Sequence, residues 1–185
     1  GNDRFILEAS TMVGTLDQSD GNDQIDGGDG DDLLEVFGSA GNDSMILTGS
    51  GNSQLMIGNS SIDFSSLESI SIAGGAGNDA FFIGGTLDGS GLESIIFDGG
   101  DGNDDLDFEG SGNDLTVTVD GGAGDDTITS GSGHDLLSGG SGNDQVYWAD
   151  DNGNDVIDGG SGTDTLTIEA ASPLFEQAGG SSLEA

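Results

Sequence analysis

Apolar residues in this chain occur in short islands. Leu55-Met56-Ile57, Ile70-Ser71-Ile72, Phe81-Phe82-Ile83 and Ile95-Ile96-Phe97 are the fullest, and each is bounded by glycine or polar residues. Elsewhere an apolar residue stands two places after an Asp, as at Ile25, Leu34, Leu106, Ile128, Leu137, Val146, Ile157 and Leu166. That pattern predicts very short strands with one inward face. After Asp114 the alternation lengthens: Leu115, Val117 and Val119 are interleaved with Thr116 and Thr118, and the inward phase moves by one residue. No run approaches the roughly 18 apolar residues needed to span a bilayer.

The segments between the islands repeat. Gly-Asn-Asp begins at Gly1, Gly21, Gly41, Gly77, Gly102, Gly112, Gly142 and Gly153. Fuller units are Gly27-Gly28-Asp29-Gly30-Asp31-Asp32, Gly121-Gly122-Ala123-Gly124-Asp125-Asp126 and Gly159-Gly160-Ser161-Gly162-Thr163-Asp164. The general unit is G-G-x-G-x-D-x-U-x, with U apolar. Turn, strand, turn, strand predicts a parallel solenoid. Glycine lets several carbonyls turn toward one point. Calcium takes six to eight hard oxygens, which backbone carbonyls and Asp carboxylates supply.

Charge makes a cation necessary. Asp and Glu number 36 against the single base Arg4, a formal charge of −35, while only 32% of residues are hydrophobic. Such a chain on its own has the signature of disorder. One cation cannot neutralise nucleic acid phosphates or dock on anionic lipid. With no Cys there is neither a disulfide framework nor a thiolate zinc site. The glycines lack the three-residue period of collagen.

In these units the chain resembles the RTX, or hemolysin-type calcium-binding, nonapeptide repeats of proteins exported by bacterial type I systems. The resemblance implies an all-β fold, a right-handed parallel β-roll or β-helix solenoid with several calcium ions in its turns. It implies ligation by the sixth-position aspartates Asp23, Asp32, Asp43, Asp79, Asp104, Asp114, Asp126, Asp135, Asp144, Asp155 and Asp164. Backbone carbonyls of Gly121, Gly122, Ala123, Gly124, Gly139, Gly140, Ser141, Gly142, Gly159, Gly160, Ser161 and Gly162 would complete the shells. The function implied is a secreted or cell-surface module that folds on calcium outside the cell, aids export and acts as a rigid, monomeric scaffold. The secretion machinery or a surface ligand would be met through the parent protein.

Residues 1–169 are expected to form the solenoid, with well-matched repeats at 20–46 and 99–166 and longer, more apolar coils at 47–98. Residues 170–185 lose the repeat and are expected to be a cap or tail. Gly1-Asn2-Asp3 opens mid-repeat, so the chain is expected to be part of a longer protein. Sorting the sixth positions by side puts Asp32, Ser53, Asp79, Asp104, Asp126, Asp144 and Asp164 on one side. Asp23, Asp43, Asp63, Asp88, Asp114, Asp135 and Asp155 fall on the other. Ser53 replaces an Asp, and Asp63 and Asp88 lack preceding glycines, so hydrophobic stacking is expected to replace some calcium there. Leu67-Glu68-Ser69-Ile70 recurs 25 residues later as Leu92-Glu93-Ser94-Ile95.

Rival readings are weaker. No stretch has the D-x-D-x-D-G spacing of an EF-hand followed by its Glu. An enzyme needs a carboxyl set apart by its environment, whereas these aspartates repeat one environment, so no catalysis is expected. An adhesin or ligand-binding segment, or a non-catalytic module attached to a secreted enzyme, is the alternative. An ice-binding face would need an outward Thr ladder at the turn position, where Thr163 stands alone. His134 is expected to be incidental, Tyr147 and Trp148 to cover the C-terminal coils, and Arg4 to pair with Glu8 or another nearby acid.

Overall fold

The computed structural model describes residues 4–8, 22–49, 53–85, 87, 90–111, 115–149 and 153–169. These residues form strands and turns, with no helix among them. Two sheets face each other. One has seven parallel strands, in spatial order Arg4–Glu8, Leu33–Phe37, Ser69–Ala76, Ser94–Asp101, Thr116–Asp120, Leu136–Ser138 and Val156–Asp158. The other has nine, in the order Asn22–Asp26, Ser60–Ser65, Ser53–Ile57, Ser44–Thr48, Ala80–Gly84, Asp105–Asp107, Thr127–Thr129, Gln145–Ala149 and Thr165–Glu169. The chain alternates between the sheets, one strand in each per coil, which is a parallel β-roll.

Register makes the inward residues into ladders. Met45, Phe81, Leu106, Ile128, Val146 and Leu166 stack in the nine-stranded sheet. Val36, Ile72, Phe97, Val119, Leu137 and Ile157 stack in the seven-stranded one. Between them Phe81, Phe97 and Phe108 cluster, with ring centroids 5.0 to 6.2 Å apart. These three rings are the largest fully buried side chains, set in a core that is otherwise mainly Ile, Leu and Val. The shifted phase after Asp114 is present: Leu115, Val117 and Val119 are all buried.

The stretch at 47–98 departs from the expected longer coils. Ser53–Ile57 pairs antiparallel with both Ser44–Thr48 and Ser60–Ser65. Residues 53–65 are therefore a hairpin inserted within one sheet. Its loop is Gly58-Asn59, with Gly58 at φ +59°, the left-handed conformation a two-residue turn requires at its first position. The hairpin returns the chain to the sheet it left, so it crosses no edge. Ser53 and Asp63 lie in strands, and Asp63 accepts a hydrogen bond from the Gln54 amide at 2.6 Å.

With Ser53 and Asp63 in strands rather than in turns, the sorting of the turns changes. Asp32 precedes a strand of the seven-stranded sheet, as do Asp135 and Asp155; Asp43 precedes a strand of the nine-stranded sheet, as do Asp79, Asp104, Asp126, Asp144 and Asp164, and Asp23 lies within a strand of that sheet. The predicted places of Asp32 and Asp43 are exchanged, and Asp23, sorted with Asp135 and Asp155, lies in the other sheet. Arg4 pairs across strands with Glu35.

Candidate metal centre

The edge whose turns lead into the nine-stranded sheet repeats one arrangement. The backbone N–H of each sixth-position Asp donates to Oδ1 of the corresponding Asp one coil on. The links run Asp43 to Asp79, Asp79 to Asp104, Asp104 to Asp126 and Asp126 to Asp144, each 2.8 Å, then Asp144 to Asp164 at 3.1 Å. One carboxylate oxygen of Asp79, Asp104, Asp126, Asp144 and Asp164 is thereby spent on stacking, while Asp43 Oδ2 accepts from the Ser39 N–H and hydroxyl. The other, Oδ2 of Asp79, Asp104, Asp126 and Asp144, is buried and accepts no hydrogen bond.

Each of these oxygens has a carbonyl beside it. A Cβ added to Gly121 would lie 2.6 Å from Asp126 Oδ2 and 2.5 Å from Gly139 O; one on Gly139 would lie 2.6 Å from Asp144 Oδ2 and 2.7 Å from Gly159 O. The same convergence occurs at Gly74 and Gly99. The first glycine of the unit is thus required by close approach. The second is required by conformation, as at Gly122, where φ is +98°. Carbonyls of Gly122 and Gly140 accept the N–H of Ser141 and Ser161, and those of Ala123 and Ser141 accept the N–H of Gly102 and Gly124.

Electrostatically these turns are poised for a cation. Burial raises the Asp79, Asp104 and Asp144 carboxyls above the usual range, and it pushes Asp126 up to about 6. The backbone N–H donated from the preceding coil opposes that rise in each case, while neighbouring aspartates add to it. An unpartnered buried acceptor costs on the order of 1–3 kcal/mol. Burying charge without a counterpart costs more. Two carboxylates flanked by carbonyls suit a hard, oxygen-seeking cation. Among the described residues no three His, Cys, Asp or Glu side chains converge, so any shell here draws on main-chain oxygen.

A second ladder runs outside the first. Backbone N–H groups of Asn78, Asn103 and Asp125 donate to the side-chain oxygens of Asn42, Asn78 and Asn103; those of Asn143 and Thr163 donate to Asp125 and Asn143. The fifth-position Asn series is visible in the sequence, but its role in joining coils is not. His134 does the same work on the other edge, its Nδ1 accepting the Asn154 N–H at 2.8 Å.

The other edge differs. Asp32 is buried and its N–H donates to Glu68 Oε2 at 2.8 Å. Glu68 and Glu93 follow it in register, at the starts of the next two strands. Asp135 accepts the N–H of Val117 at 3.2 Å and donates its own to Asp155 Oδ1 at 2.9 Å. Asp155 Oδ2 accepts the Trp148 indole N–H at 2.6 Å. Asp114 and Asp88 lie outside the described residues; Asp23 lies in a strand, opposite Ile62.

A parallel β-roll with stacked Gly-Asp turns defines a calcium-binding repeat module. The profile of the RTX calcium-binding nonapeptide repeat matches in four copies, over residues 19–45, 118–146 and 150–167. They cover 74 of the 185 residues. The span left between 45 and 118 holds the hairpin and the two eight-residue strands. Comparison with curated proteins gives no match.

Proposed function

We propose that this chain is a non-catalytic module of a secreted bacterial protein, one that stays extended where calcium is scarce and folds into a stiff rod where calcium is plentiful. The observation that carries this reading is the row of buried Oδ2 atoms on Asp79, Asp104, Asp126 and Asp144. A folded state that buries four unpartnered carboxylate oxygens needs a cation, and a chain of formal charge −35 repels itself without one. Those aspartates, with the carbonyls of Gly99, Gly121, Gly139 and Gly159, are the groups that would hold the ions. Bound calcium supplies positive charge and a six- to eight-oxygen shell. Asp Oδ1 meanwhile keeps adjacent coils in register, so each loaded turn orders the next and binding energy becomes folding energy.

Extracellular modules of this kind bind calcium at about 10⁻⁴ to 10⁻³ M. An unfolded polyanion inside the cell fits passage through a secretion channel; a folded rod outside fits a scaffold. Circular dichroism through a calcium titration tests the reading. A coil spectrum in chelator and a cooperative gain of β signal near millimolar calcium are expected. A β signal that chelator leaves unchanged would sink it. Magnesium, which demands a smaller octahedral shell, is expected to be ineffective.

A further inference from the structure

One groove is lined by none of the sixth-position aspartates. It crosses the ends of four neighbouring strands of the nine-stranded sheet, from Glu109 past Thr129, Tyr147 and Trp148 to Glu169, and holds about 310 Å³. Its two ends carry charge and its middle carries rings. Glu109, just after Asp105–Asp107, and Glu169, the last residue of Thr165–Glu169, are both exposed. Three strand spacings separate them, about 14 Å, too far for one ion to touch both. Tyr147 and Trp148 lie between, half-buried, in the strand that pairs with Thr127–Thr129 on one side and Thr165–Glu169 on the other.

Polar atoms in the middle of the groove are already engaged. The Trp148 indole N–H donates to Asp155 Oδ2 at 2.6 Å, and the Tyr147 hydroxyl donates to Gln145 Oε1 at 3.2 Å. Ser130 Oγ accepts the Ala149 N–H at 3.3 Å. What is left for a ligand there is chiefly ring surface. A sugar, which needs donors and acceptors along its edge, is poorly served, and an anion is repelled by a formal charge of −35. Nor does the chain supply a cation for the two glutamates: its only Lys or Arg, Arg4, pairs with Glu35 at the opposite end of the stack.

We propose that this groove binds an extended organic cation, a linear polyamine whose terminal ammonium groups meet Glu109 and Glu169 while its methylene chain crosses Tyr147 and Trp148. Aromatic faces attract ammonium groups, Trp most strongly, and the same faces pack against methylenes. The glutamates fix the two ends of the ligand, and the rings hold the stretch between them. The site uses none of the stacked turns, so its occupant binds in addition to any metal.

Trp148 is the only tryptophan in the chain, so its fluorescence reports on the groove directly. The whole chain, with its β signal verified by circular dichroism in excess calcium, is titrated with spermine. A saturable change in Trp148 emission is expected, with no response to glucose. Glu109→Gln and Glu169→Gln should each weaken spermine binding by up to about fivefold, the scale of an exposed charge pair. Glu93→Gln, which removes an exposed carboxylate beside the other sheet, should leave it unchanged. Equal weakening by all three variants would mean diffuse attraction to a polyanion and overturns the site. Weakening by only one of Glu109→Gln and Glu169→Gln overturns the spanning ligand. An emission that spermine leaves unmoved, or that glucose moves equally, overturns the proposal outright.

Discussion

The C-terminal coils and the middle of the molecule hold the same sheets together by different means. Between 121 and 164 the strands Thr127–Thr129, Leu136–Ser138 and Val156–Asp158 have only three residues, with one inward apolar residue each, and Gln145–Ala149 has five. In the middle, Ser69–Ala76 and Ser94–Asp101 run eight residues and bury Ile70, Ile72, Ile95 and Phe97. Strands of three residues are too short to persist alone. The turns must hold them, which is why the repeat is most regular where the core is thinnest. Where the core is thick, one edge gives up its aspartates for Glu68, Glu93 and buried leucines.

Removing calcium should expose this difference most strongly. In chelator, hydrogen exchange is expected to show protection lost first from 127–129, 136–138 and 156–158, and to persist longest in 69–76 and 94–101. Equal loss everywhere would mean that the thick core does not stand apart. The reverse perturbation is Phe97→Ala, which empties the middle of the Phe81–Phe97–Phe108 cluster. It should cost about 3–5 kcal/mol of stability in saturating calcium, measured by denaturant melts. The calcium midpoint of the C-terminal coils should move far less.

A subtler probe is Gly121→Ala, which puts a methyl where Asp126 Oδ2 and Gly139 O converge. Overpacking of that kind costs about 1–3 kcal/mol, or roughly a tenfold rise in the calcium midpoint. Acid should act in the same direction. Asp126 in the calcium-free fold has its carboxyl pushed up to about 6, so below that pH the turn keeps a proton, and the proton's contribution to stability is lost as pH rises through about 6. Calcium needs the carboxylate and must displace that proton. Lowering the pH from about 7.5 to about 5.5 should weaken binding at this turn roughly fourfold. Smallest of all, Asp63→Ala removes only the acceptor for the Gln54 amide and should change stability by about 1 kcal/mol, with the calcium midpoint unmoved.

Much of this was legible in the residues. The inward ladder through Leu106, Ile128, Leu137 and Val146, and the burial of Asp79, Asp104, Asp126, Asp135 and Asp144, follow from a Gly-Asp turn alternating with one apolar residue. The side on which each early Asp falls did not follow. Leu55-Met56-Ile57 and Ile62-Asp63-Phe64 have the inward alternation of coil strands, and alternation is blind to whether a strand runs parallel or antiparallel. Two signals were nonetheless present. Gly58-Asn59 between alternating segments is a two-residue hairpin turn. The Leu-Glu-Ser-Ile recurrence marks Glu68 and Glu93 as the next positions after Asp32. The commitment of Asp155 to Trp148 could not have been read, because it depends on an indole reaching across a turn.

The inserted hairpin also reshapes the N-terminal end. Arg4–Glu8 stacks directly on Leu33–Phe37, while Asn22–Asp26 is held off Ser44–Thr48 by two intervening strands. At about 4.8 Å per strand, one wall is taller than the other by about 10 Å. The first coil must fan open, like a page propped by a wedge, and Asp23 is parted from Asp43. Zippering that starts among the C-terminal rungs therefore meets a firebreak at the hairpin, and whatever precedes it in the chain has to order itself separately.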